Sequence, residues 1–211
     1  KGYPYVLTVI FAFAIQPLLM CLSSFSTMIF HNYLNDSIQG YLKEPWWAVL
    51  LATALIPAVM EELVCRGVYL SGCRRWNIYG AAALNGVFFG VLHLNPQQAV
   101  YAAIFGFSCA LITLGADSLW PAMLAHFIIN GTQILMAFGA QALVNMTTLG
   151  TVEQGKVYNE ALGIYEYAAG DNSMLFLLYG VITLALSLAF LFVACMSLKS
   201  AYCTQLRLEK G

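Results

Sequence analysis

The sequence predicts an all-α fold: a polytopic bundle of helices embedded in a membrane. Only 9% of its 211 residues are charged, against roughly 25% in an ordinary soluble domain. The mean hydropathy is +0.75. Several apolar runs reach the ~20 residues that cross a bilayer, and they lack the alternation of outer-membrane barrel strands. With a net charge of −1, the chain offers no basic surface for nucleic acid.

Six spans are expected within a single domain covering residues 1–211. The first, about Tyr5–Phe30, is too long for a signal-peptide core and lacks a small-residue cleavage site. The second runs from Trp46 to about Leu70 and opens on Trp46-Trp47, rings suited to the headgroup layer. The third, about Ile78–Leu94, follows Trp76. The fourth is about Gln98–Leu114, and the fifth, about Leu119–Gln141, carries Trp120 at its start. The sixth is about Ser173–Ser197. The loop of about residues 142–172 is the long one. It sets Glu153, Glu160, Glu166 and Asp171 against Lys156, and a short surface helix is expected there. The six cysteines form no CxxC pair and lie mostly in the spans, so they read as small packing residues. Lys1, Arg74, Arg75, Lys199, Arg207 and Lys210 fall on one side of this arrangement, Lys43 and Lys156 on the other. Basic excess marks the cytoplasmic face. The termini are therefore expected in the cytosol, and the membrane is expected to be the plasma membrane.

Charge at membrane depth is costly, and usually faces a bundle interior or a watery cavity. Here Glu61, Glu62 and Arg66 share the run TALIPAVMEELVCRGVYL, while His93 and His126 lie in later apolar runs. Residues four apart share a helix face. Glu62 can therefore pair with Arg66, Phe89 can pack on His93, and His126 and Asn130 can present donors side by side. Glu61, turned by about 100° from Glu62, is free to point elsewhere. Pro57 removes the backbone bond to Thr53 and is expected to kink the helix and open a water pocket at the acids. Gly86 and Gly90 form a small-residue face that brings a neighbour close and His93 inward. Counted from the cytosolic end at ~1.5 Å per residue, Glu61 lies about 14 Å deep, His126 about 10 Å and His93 about 22 Å. A tilted third helix, or one that starts below the membrane, is needed to bring His93 level. His31, beside Asn32, reads as an interfacial residue.

Three motifs thus stand in order: Glu61-Glu62-Leu-Val-Cys-Arg66, Phe89-Gly-Val-Leu-His93 and His126-Phe-Ile-Ile-Asn130. Together they resemble the CPBP intramembrane proteases, the group named for CAAX proteases and bacteriocin-processing enzymes. That family's pattern is EExxxR, then FxxxH, then HxxxN or HxxxD. The resemblance covers residues 46–130, which are expected to form the catalytic core. It implies peptide hydrolysis by a glutamate-activated water, with no metal or other cofactor. On that reading Glu61 is the general base, His93 orients or deprotonates the water, and His126 and Asn130 donate to the oxyanion. Glu62, Arg66 and Phe89 support them. A metal-dependent protease is an alternative, with Glu61, His93 and His126 as ligands, although no HExxH pair is present. A non-catalytic membrane partner or immunity protein could bind a peptide in the same polar cavity. A proton-coupled transporter is disfavoured because the sequence shows no broken helix and no repeat. The expected partners are the lipid bilayer and a peptide or protein substrate at its cytosolic side, prenylated tails being one family substrate. The oligomeric state is left open.

Overall fold

A computed structural model describes residues 3–31, 37–38, 40–73 and 77–148, and the backbone of 156–159 and 164–167. Its helices are α1 (Tyr3–Thr27), α2 (Trp46–Gly72), α3 (Ile78–Leu92), α4 (Pro96–Ala116) and α5 (Trp120–Thr148). Four stretches among the described residues are long and apolar enough to cross a membrane: Pro4–Thr27, Trp46–Gly72, Pro96–Ala116 and Trp120–Gly139. They correspond to the first, second, fourth and fifth expected spans. Their exterior is apolar in the way lipid requires: Val68 is 71% exposed and Met136 61%. The chain is a polytopic helical membrane bundle.

The third expected span is corrected. Helix α3 has 15 residues, about 22 Å at ~1.5 Å per residue, short of the ~30 Å hydrocarbon core. Its ends are set by local chemistry. The Asn77 side chain accepts the N–H groups of Tyr79 and Gly80 at the start. At the finish His93 is the C-cap, and Leu94 takes a left-handed φ of 49°. Asn95 then caps α4 by accepting the Gln97 N–H at 3.1 Å, and Pro96 follows at the first helical position. The sixth expected span lies outside the described residues.

The surface helix expected in 142–172 is not found among the described residues of that segment. Helix α5 runs on to Thr148, and two strands, β1 (Lys156–Asn159) and β2 (Ile164–Tyr167), pair antiparallel with Lys156 opposite Tyr167. The Val, Ile and Tyr content of these segments favours a pleated pair over a helix.

Helix α2 is not uniform. Wide i→i+5 turns at Leu51–Leu55 and Leu63–Tyr69 bracket an α-helical segment, Ile56–Glu62. The helix thus absorbs Pro57 by widening its preceding turn, with the Ile56 N–H bonded to the Leu51 carbonyl. Side chains from other helices take carbonyls along this altered ladder. Asn130 Nδ2 donates to the Thr53 carbonyl at 3.2 Å, and Asn85 Nδ2 to the Cys65 carbonyl at 2.7 Å. Such wide turns often mark functional sites.

Helices α3 and α4 form a close antiparallel hairpin. A Cβ on Gly86 would stand 2.6 Å from the Ala103 carbonyl oxygen, and one on Gly90 2.5 Å from that of Ala99. Gly106 returns the contact, with room for no Cβ against Phe89. The expected close face is therefore present. Helix α1 lies across α4 and α5, and its Phe11, Ile15 and Leu18 join Phe89, Phe105 and Ile129 in the core. Cys65 and Cys109 are fully buried in that core as packing residues. Cys195 and Cys203 lie outside the described residues.

Candidate active site

Glu61, His93, His126 and Asn130 line one cavity of about 360 Å³, with Thr53 and Pro57 of α2 in its wall. His93 lines this cavity with Glu61 and His126 although its counted depth along α3 is greater. His93 sits at the tip of the α3–α4 hairpin, and the tip reaches the cavity.

Adjacent carboxylates take opposite environments. The Glu61 side chain is 39% exposed, whereas that of Glu62 is 0% exposed. Glu62 Oε1 accepts from Arg66 Nη1 at 3.0 Å and from His126 Nδ1 at 2.9 Å. Arg66 also donates through Nη2 to the Gly106 carbonyl at 2.8 Å, and its guanidinium lies 4.5 Å over the Phe89 ring. That ring meets His93 edge-on with centroids 4.8 Å apart, and Phe105 meets His126 likewise at 5.1 Å. Phe89 therefore touches the first histidine and the arginine at once. Close approach of the α3–α4 backbones supplies the Gly106 carbonyl that fixes the arginine.

Hydrogen bonding assigns the histidine tautomers. Carboxylates and carbonyls only accept. His126 Nδ1 therefore carries a hydrogen toward Glu62, and its Nε2 stands 3.9 Å from Glu61 Oε2. That gap is too long for a direct hydrogen bond and suits a shared water or substrate oxygen. His93 Nδ1 donates to the Phe89 carbonyl at 2.8 Å, which leaves Nε2 of the neutral ring as an acceptor. Glu61 Oε2 has no hydrogen-bond partner among the described residues. Asn130 spends one amide hydrogen on Thr53 and keeps a second.

Among the described residues no three His, Cys, Asp or Glu side chains converge as a metal-binding group. The sequence reading missed Asn85, although a buried amide one turn before Phe89 on an apolar helix is itself a signal. It also missed Gln133, which continues the His126–Asn130 stripe by another turn, and Gln98 and Tyr101 of α4 in the opposite wall. His31 lies exposed beyond the end of α1.

Residues 43–132 match the family described as Rce1-like, Type II CAAX prenyl endopeptidase Rce1-like. A curated relative, named "Putative membrane peptidase YdiL", from Bacillus subtilis (strain 168), is 19% identical over 89 residues. That match covers 42% of this chain and 36% of the relative, so the chain spans about a third of that relative's length. No solved structure matches the chain. The family match falls on the stretch that carries the three motifs. Together the two matches bear out the resemblance to CPBP proteases.

Proposed function

We propose that the protein is an intramembrane endopeptidase that hydrolyses a peptide bond of a membrane-associated peptide or protein. The observation that carries this reading is the pairing of Glu61 with His126 across 3.9 Å in one cavity, while Glu62 holds the far side of the imidazole. The family match and the curated relative's name support the same activity.

A water bound at Glu61 attacks the substrate carbonyl carbon and gives one proton to the carboxylate. His93, whose free Nε2 accepts, orients that water. The carbonyl oxygen becomes an oxyanion, and the uncommitted Asn130 N–H donates to it. His126 donates there as well when it carries a second proton at Nε2, with Glu62 accepting at Nδ1 throughout. This is the role a buried carboxylate plays behind a catalytic imidazole. Glu61 then passes its proton to the leaving nitrogen as the C–N bond breaks. Donors placed beforehand where charge develops are worth ~10²–10³ in rate each.

The basic residues Arg74 and Arg75 support a cytosolic face at the end of α2 near Gly72, whereas the cavity is lined from the other half of that helix, Ala52 to Glu61, and by Ile38 and Tyr41 before it. The substrate is a segment that enters the bundle within the bilayer to reach this cavity. The test is cleavage of peptides by purified, vesicle-reconstituted protein, wild type against Glu61→Gln. The variant should lose at least ~10²-fold of the rate, as expected for removal of a general base, with an unchanged melting temperature. Undiminished cleavage by the variant would end the proposal. Survival of a binding function in both Glu61→Gln and His126→Ala would favour the non-catalytic partner instead. Activity in excess chelator should be retained, and its loss would reinstate the metal alternative.

A further inference from the structure

A second cavity of about 310 Å³ adjoins the first, and the two share Leu19, Ile38, Tyr101 and Gln133 in their walls. Its far side is formed by Met20 and Met136, each more than half exposed, so it opens toward lipid. Unbranched Met side chains adapt to varied apolar occupants.

Polar groups at the junction distinguish it from an ordinary packing gap. Other polar side chains in the wall of the second cavity are spent within the protein. Ser23 Oγ accepts from Gln97 Nε2 at 2.9 Å, Gln16 Oε1 accepts from Thr132 Oγ1 at 3.0 Å, and Ser24 Oγ donates to the Met20 carbonyl at 2.9 Å. Among the described residues, the side chains of Tyr101 and Gln133 make no such bond. In an apolar bundle, polar groups without internal partners face water or a ligand. Here they face the passage between the cavities.

We propose that Tyr101 and Gln133 hold the main chain of an extended substrate, and that the second cavity receives an apolar side chain of that substrate. Hydroxyl and amide donors at the junction match the carbonyls of an extended peptide. Spacing along α5 gives the register. Gln133 lies seven residues beyond His126, about 10 Å at ~1.5 Å per residue. An extended peptide rises ~3.3 Å per residue, so the occupant of the second cavity is about three residues from the scissile bond. Selectivity at that distance follows from the shared wall.

This subsite rests on the endopeptidase reading, and one experiment separates the two. A randomised decapeptide mixture is given to the protein in phosphatidylcholine vesicles, and the new ends are sequenced. Leu, Ile or Met should be enriched about three residues from the cut, on one side only. Met136→Trp, which fills the second cavity from α5, should abolish that enrichment, and so should Met20→Trp, which fills it from α1 and serves as the test where Met136→Trp folds poorly. Tyr101→Phe and Gln133→Leu should each lower kcat/KM by about fivefold, the scale of one net hydrogen bond, mainly through KM. Cleavage without positional enrichment, or enrichment that survives both tryptophans, overturns the subsite alone. A wild-type protein that cuts nothing overturns the endopeptidase reading and the subsite with it.

Discussion

Glu61 and Glu62 are the same amino acid at neighbouring positions, and the helix gives them different work. A turn of about 100° per residue sends one to the cavity and the other to an arginine and a histidine in the core. Their substitutions should therefore separate. On the proposed mechanism Glu61→Gln should remove activity without unfolding, since its side chain is 39% exposed. Glu62→Ala leaves Arg66 buried beside an empty position and should cost ~3–5 kcal/mol of stability, the usual effect of breaking a buried pair. A detergent-solubilised thermal melt of both variants checks this: comparable melting temperatures would refute the division. Asn130→Ala should lower kcat by ~10²-fold, as for one oxyanion donor, and also release the Thr53 carbonyl. A steady-state assay with unchanged KM is the expected signature. The pairing of Glu62 with Arg66, and of Phe89 with His93, was legible from the four-residue spacing. The bond from Glu62 to His126 was not, because it joins positions 64 residues apart and only the packing of α2 on α5 sets it.

At the scale of elements, the glycines of α3 decide how near the hairpin arms come. Gly86→Ala drives a Cβ to 2.6 Å from a backbone oxygen, and a carbonyl cannot step aside as a flexible side chain can. Gly139 of α5 has nothing within 4 Å of its would-be Cβ, and Gly→Ala in an open helix gains ~1 kcal/mol. Thermal melts should therefore move in opposite directions, down for Gly86→Ala and up for Gly139→Ala. Equal shifts would show that the hairpin contact does not limit stability. The small-residue face could be read from Gly86 and Gly90 alone. The length of α3 could not be read from hydropathy, which carried the apolar run through His93 and Leu94. Asn95-Pro96 was the visible stop, a cap followed by the residue that begins helices. The second anomaly, the pair of wide turns in α2, has only Pro57 as its sequence signal, and that residue predicts a kink equally well.

The whole molecule poses the question of orientation, since the four helices long and apolar enough to cross a membrane and the one short one among the described residues do not fix which face is cytosolic. Basic residues favour the end of α2 near Gly72. In a background without other cysteines, Lys43→Cys should react with a membrane-impermeant maleimide in intact cells, and Ser71→Cys should react only after lysis. The reverse pattern would invert the orientation and place the cavity opening on the other side. The class of the protein was legible from composition, because a chain with 9% charged residues has little with which to face water. The pairing of β1 with β2 was hidden by the acidic composition around it, whereas the β-branched and aromatic residues within the strands set its form.

The widened turns in α2 have a geometric consequence. They act as phase shifters on either side of Ile56–Glu62. Deleting a residue from the first would rotate the Trp46-Trp47 end by about 100° about the helix axis while Glu62 kept its arginine. The anchoring of the acids is thereby uncoupled from the azimuth at which the helix begins, and the tie between Asn130 and Thr53 is the link that still joins them.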